Sequence, residues 1–145
     1  MSISNIIKQV ENLQSNLEGQ ANIFLENDKK QILDYVRIDQ LFDKGEDADG
    51  QKLEPYTPFT RAVKISEGRN PNIVTLFDEG GFYKGFDFTL IQGTVLNIFS
   101  RDNKTPELLD KYGQRIDDLN EENEEKVDIN LENELVTWVL ESVKI

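Results

Sequence analysis

Acidic side chains next to glycines are the first residues in this chain with chemistry to offer. Asp47-Ala48-Asp49-Gly50 matches the centre of a calcium-binding loop. An EF-hand loop needs oxygen ligands at its first, third and fifth positions, Gly at the sixth and a bidentate Glu at the twelfth. With Gly50 in sixth place, Asp47 and Asp49 fall third and fifth, but the first position is Gly45 and the twelfth is Tyr56. Two carboxylates do not hold tightly a hard dication that takes roughly six to eight oxygens. The segment therefore reads as a polar turn, with Asp bonding its own backbone and Gly accepting positive φ. Asp78-Glu79 is a second adjacent pair. It could serve as an acid/base pair, or as a cap with an exposed neighbour. The glycines that follow it, in LFDEGGFYKGF, stand where a phosphate loop would stand, yet no Gly-Lys-Ser/Thr follows and the spacing is not GxGxxG. They suit a tight chain reversal and close backbone packing.

Composition narrows the chemistry further. The chain has no His and no Cys, which removes the commonest general base, the commonest zinc ligands, disulfides and thiolate nucleophiles. No cofactor motif is present, and no catalytic, cofactor-binding or metal-ligating residue is assigned. The net charge of −12 opposes non-specific binding to nucleic acid. Residues 117–134 hold nine acids and one Lys, leaving only −4 for the rest of the chain. Such a block is a solvated face or a contact for a basic partner, and Asp117, Asp118, Glu121, Glu122, Glu124 and Glu125 are its candidate contact residues. Lys52, Arg61, Lys64, Arg69 and Lys84 are interspersed with Glu54, Glu67, Asp78 and Glu79, too thin a pattern for a nucleic-acid patch. No apolar run approaches the ~18 residues of a membrane span, and the first residues lack a signal-peptide pattern.

The elements that must position these residues follow from periodicity. Ile3, Ile6, Ile7, Val10, Leu13 and Leu17 recur at helical steps, with Ser2 or Ser4 available as cap and Gly19 as an interruption. Phe24, Ile32, Leu33, Val36 and Leu41 continue the pattern, with Asn27 or Asp28 restarting it. Both stripes read as core, although a small sheet need not cover all of the first. Pro55 and Pro58 make residues 53–57 extended. Thr57 and Pro58 then open a short helix that Gly68 ends. The run 73–77 reads as a strand. Residues 87–91 and 94–99 read as a hairpin joined through Gln92-Gly93. Thr105-Pro106 opens another short helix that Gly113 stops. Leu131, Leu135, Trp138, Val139 and Ser142 mark the face of a last helix. The expectation is one α+β domain over 1–145, with helices over about 3–41 and 105–143 packed on a small antiparallel sheet within 43–100.

Several of these residues also carry a resemblance. Tyr56-Thr57-Pro58, Thr60, Lys64, Leu76, Gly80, Gly81 and Phe82 form a Tyr-Thr-Pro-x-Thr element, a basic residue, then an apolar run closing on a glycine–aromatic turn. Over residues 40–140 the order resembles the small virion-morphogenesis and tail-completion proteins of tailed bacteriophages, including connector and neck ring proteins. Glu79 stands where that pattern has Thr, and Asp118-Leu119 where it has Gly-Leu. The resemblance implies a non-enzymatic virion component at the head–tail junction, assembled in the host cytoplasm as a ring. Its implied partners are copies of itself, the portal and neighbouring neck or tail proteins. DNA would pass through the channel without specific binding, and no membrane is involved. A different class remains open: a small acidic inhibitor that mimics DNA toward a basic partner.

Overall fold

The computed structural model describes residues 3–77, 80–91 and 95–143. The fold is α+β. A long N-terminal helix and a long C-terminal helix frame a body that contains a two-stranded antiparallel sheet.

Helix α1 (Ile3–Asn27) runs straight through Gly19. The expected interruption is absent because one glycine inside a helix costs only about 1 kcal/mol, which the neighbouring turns tolerate. A break does come at Asp28. Helix α2 (Lys29–Asp34) restarts there and passes into a π-helix, Tyr35–Lys44, that ends on Gly45 at φ 62°. Asp28 holds the cap position without a side-chain cap bond. The π-helical register places Val36, Gln40 and Leu41 fully inside the molecule.

Thr57 caps α3 (Pro58–Ser66) by accepting from Thr60 N–H, and Pro58 occupies the first turn, as the sequence implied. The run 73–77 is not a strand. Its extended path is broken at Leu76, whose φ of 58° is the left-handed value that a branched side chain seldom adopts. Tertiary contacts override its β-branched composition. Val74 is buried, a Cβ on Gly45 would meet Ile73 Cγ2 at 2.5 Å and the Val74 carbonyl oxygen at 3.0 Å, and Thr75 O accepts from the Tyr83 hydroxyl. Helix α4 (Gly81–Lys84) follows as a single turn.

Strands β1 (Phe86–Ile91) and β2 (Val95–Ser100) pair from Phe86↔Ser100 to Ile91↔Val95. Phe86 and Phe88 face the core while Thr89 and Ile91 face out, the alternation of a sheet covered on one side. The Gln92-Gly93 connection and Thr94 lie outside the described residues. Helix α5 (Thr105–Tyr112) starts one residue earlier than expected. Thr105 is already helical, and the turn before it is organised by Asp102, which accepts from Lys104 N–H through its carboxylate and from Thr105 N–H through its carbonyl. Gly113 stops the helix at φ 100°.

Helix α6 (Glu121–Ser142) is capped by Asn120, which accepts from Asn123 N–H at 2.8 Å. It lies antiparallel to α1. Asn130 donates to Asp28 near one end, and Leu17 meets Leu135 and Val139 further along. The core sits at the foot of this helix pair, where Leu25, Ile32, Leu33, Val36, Leu41, Phe82, Phe86, Phe88, Ile98, Ile116 and Val127 cluster. Beyond Leu25 the pair projects as an arm. There the expectation of core fails: Ile3, Ile7, Val10 and Leu17 are 75%, 51%, 43% and 41% exposed. Two helices side by side can cover only part of each other's apolar surface.

Candidate functional site

The loop of residues 43–58 links two concave surfaces. At one end, Asp47 turns its carboxylate onto its own chain and accepts from Asp49 N–H at 2.9 Å and Gln51 N–H at 3.0 Å. That is the Asp-centred turn expected from the composition. Ala48 N–H donates to Arg115 O and Glu46 N–H to Gln40 O, which fixes the loop against the π-helix and the segment that leads into α6. Glu46 and Asp49 thereby meet Glu121, Glu122, Glu124 and Glu125 around one acidic hollow. Arg115 partly offsets the charge through Asp49 and Asp118, the latter at 2.6 Å. Asp117 sits half-buried beside this rim. Burial, then the adjacent Asp118, push its carboxyl up to about 6. Three of these glutamates, Glu121, Glu122 and Glu124, are in the first turn of α6, where negative charge is favoured by the helix dipole. Helix stability thus explains part of the acidic block on its own.

At the other end of the loop, five of the nine motif residues converge. Tyr56, Lys64, Leu76, Gly81 and Phe82 line a pocket of about 330 Å³ together with Phe77, Asp102 and Tyr112. The Lys64 ammonium lies 5.2 Å from the centre of the Tyr56 ring, and Lys111 5.2 Å from that of Tyr112. Cations seated on aromatic faces beside an apolar floor suit an apolar group with a polar or anionic end. Thr57, Pro58 and Thr60 stand outside the pocket and build the start of α3. Gly80, at φ 85°, sets the chain reversal, and a Cβ there would press on the Phe77 ring at 3.2 Å. Asp78 and Glu79 lie outside the described residues. Tyr83, next to the pocket, is buried and its hydroxyl donates to Thr75 O; burial pushes its pKa up, so it holds the turn as a neutral donor.

Sequence reasoning missed the polar knot behind the acidic hollow. Gln40 and Asn123 have no exposed surface. Asn123 Nδ2 donates to Gln40 Oε1 at 3.0 Å and to Asp39 Oδ2 at 2.9 Å. Gln40 Nε2 donates to Asp118 O, and Gln40 Oε1 accepts from Asn120 N–H. The knot joins the π-helix to the first turn of α6. A single Gln and a single Asn in polar surroundings give no signal in one sequence. It also missed Gly85, where a Cβ would lie 2.6 Å from Ser100 Oγ and 2.8 Å from Asp102 N.

A third surface lies on the arm. Leu17 of α1 and Leu131, Leu135, Val136, Val139 and Leu140 of α6 form an open apolar groove, flanked by Asp128 and Glu132. At its foot, Asn130 Nδ2 donates to both Asp28 (3.1 Å) and Glu134 (2.6 Å). Burial, then the neighbouring Asp28 carboxylate, push the Glu134 carboxyl up to about 7. Among the described residues no group of three or more acidic side chains is placed to hold a metal ion, and no helix is long and apolar enough to cross a membrane. Comparison with protein-family models, with curated proteins and with solved structures gave no match.

Proposed function

We propose that this chain is a non-catalytic assembly component of a tailed-phage virion, a connector, neck or tail-completion protein at the head–tail junction that works as a ring of identical subunits. The observation that carries the reading is the arm. A −12 chain has ample charge to keep its surface polar, yet it leaves an apolar groove and the exposed stripe of Ile3, Ile7 and Val10 on one projection. Contiguous exposed apolar surface of this kind marks a contact site. Identical subunits that meet head to tail close into a ring when the rotation permits. The acidic hollow then faces a basic patch on a neighbour, or lines a channel from which like charge repels DNA. The test is mass spectrometry of purified particles with absolute quantification. Several copies per particle, in a fixed ratio to the portal, support the reading. Absence from particles at every stage of assembly removes it.

A second reading has its own observation in its favour. The hollow gathers Glu46 and Asp49 with four glutamates of α6 on one face, which is the charge pattern of an inhibitor acting on a basic, DNA-binding partner. Salt-sensitive capture of such a partner, competed by duplex DNA and lost on neutralising Glu121 and Glu124, would favour it over the virion reading.

A further inference from the structure

The lysines of this chain divide by what they meet. Lys29, Lys30, Lys44, Lys52 and Lys126 each pair with a carboxylate. Among the described residues Lys64 and Lys111 pair with none. Each rests its ammonium on a tyrosine ring, Lys64 on Tyr56 and Lys111 on Tyr112. Both lysine–tyrosine pairs line the pocket of about 330 Å³, one at α3 and one at the end of α5. With Lys104, the lining holds three lysines against Asp102 and Glu107, a positive balance in a chain of −12. Asp102 is engaged by its own turn, where Oδ2 accepts from Lys104 N–H.

The floor of the pocket is apolar and already ordered. Phe82 is buried and packs edge-on against Phe86, with ring centres 5.0 Å apart. Phe77 is 40% exposed, yet edge contacts with Tyr83 at 5.1 Å and Phe42 at 5.9 Å hold its ring. Leu76 completes this wall at φ 58°, a conformation that is unfavourable for any residue but glycine and persists only where the surroundings impose it. Here they do: Thr75 accepts from the Tyr83 hydroxyl through its carbonyl and from Phe77 N–H through its own hydroxyl. Imposed strain of this kind gathers at ligand sites. Walls that are ordered beforehand need not be ordered by the ligand, which favours binding.

We infer that this pocket binds an apolar group that carries a carboxylate and is about the size of one amino-acid residue. The size follows from the volume, which is at the small end of the roughly 300–1,000 Å³ of ligand sites. The sign of the charge follows from Lys64 and Lys111. No carboxylate among the described residues neutralises them, and one brought by the ligand would accept charge-assisted hydrogen bonds. A cationic ligand would meet two like charges. The apolar part follows from Leu76, Phe77 and Phe82. A free apolar amino-acid derivative and the last residue of a polypeptide share this chemistry. The pocket takes no residue from the arm or the acidic hollow, so the inference does not rest on the ring reading.

The test is an amide NMR titration of the full chain with N-acetyl-L-phenylalanine at millimolar concentration. Saturable shifts are expected at Leu76, Phe77, Gly81, Phe82 and Tyr112. N-acetyl-L-phenylalaninamide, which lacks the charge, and phenethylamine, which reverses it, should each bind at least about tenfold more weakly. The double variant Lys64→Gln/Lys111→Gln should bind the acid no better than the amide, with helix content by circular dichroism unchanged. If that variant loses helix content, the comparison of acid with amide on the wild-type chain decides. No saturable shift, shifts confined to the arm or the acidic hollow, or equal binding of acid, amide and amine would each overturn the inference. A short peptide ending in phenylalanine separates the two sources. Binding at least about tenfold tighter than N-acetyl-L-phenylalanine supports a chain end as the ligand, and equal binding supports a small molecule.

Discussion

Val36, Leu41 and Ile116 in the body have no exposed surface, whereas Ile3, Ile7, Val10, Val136 and Leu140 on the arm are between 43% and 75% exposed. The two regions use the same kind of aliphatic residues. They differ in what stands opposite. In the body, α2, the π-helix, the start of α6 and the sheet enclose a common core, and the polar groups trapped there, Gln40 and Asn123, bond each other and Asp39, Asp118 and Asn120 around them. On the arm α1 and α6 meet only one another. Burial, and with it hydrophobic stabilisation at about 25 cal/mol per Å², therefore accumulates in the body. The arm's apolar surface stays exposed in the single chain.

The largest effects should come from breaking the body while sparing the arm. Leu41→Ala empties a site with no exposed surface and should cost about 2–5 kcal/mol in denaturant unfolding. Val10→Ala, the matching change on the arm, should stay within about 0.5 kcal/mol for the isolated chain. Equal losses at the two positions would mean that the arm is part of the folding core. Next in size is the polar knot. Asn123→Leu removes the amide donor from Asp39 and leaves Gln40 Oε1 with Asn120 N–H alone, and should cost about 1–3 kcal/mol. Asn120→Ala removes the half-buried cap of α6 and should cost about 1 kcal/mol.

The chain reversal beside the pocket comes next. Gly80→Val forces a branched residue to φ 85° against the Phe77 ring and should cost on the order of 1 kcal/mol or more. A variant that melts like wild type but loses assembly would make the turn a contact and not a support.

The smallest expected effect is a pH dependence at the boundary of body and arm. The folded Glu134 carboxyl titrates near 7, above its ordinary value of 4.5. Its favourable contribution is complete below about pH 4.5, where folded and unfolded chains are both protonated. It declines as pH rises through 7, where the charged carboxylate faces Asp28. Glu134→Gln stays neutral at every pH and should raise the melting temperature at pH 8 while changing little at pH 4.5. Asp87 works in the opposite sense. Its bond to Lys29, then that to Arg101, hold the carboxyl down at about 2, so the stability it contributes is present above pH ~4 and is lost as pH falls through 2.

How much of this was legible in the sequence follows local rules. Thr57-Pro58 marked the start of α3 and Gly113 the stop of α5, because caps are set by a residue and its immediate neighbours. The hairpin over 87–91 and 94–99 was legible because β-branched and aromatic runs flank a Gly-containing connection, and β1 and β2 pair there. What failed depended on distant partners. The run 73–77 has strand composition, but its path is dictated by Gly45 and Tyr83, 28 or more residues and 6 or more residues away. The N-terminal stripe was periodic in the way a core helix is periodic, and periodicity does not say whether a second surface arrives to cover it. The convergence of Tyr56, Lys64, Leu76, Gly81 and Phe82 on one pocket was not legible, because residues 102–112 supply its facing wall. Nor was the side of α3 that lies down, which Arg61 sets by donating to Pro71 O.

The most direct measurement is cryo-microscopy of the assembled particle at a resolution that shows side chains. Ile7, Val136 and Leu140 should be buried against another copy of this chain in a closed ring. A particle in which the chain occurs once, or in which the arm stands free in solvent while the body makes the contacts, would contradict that.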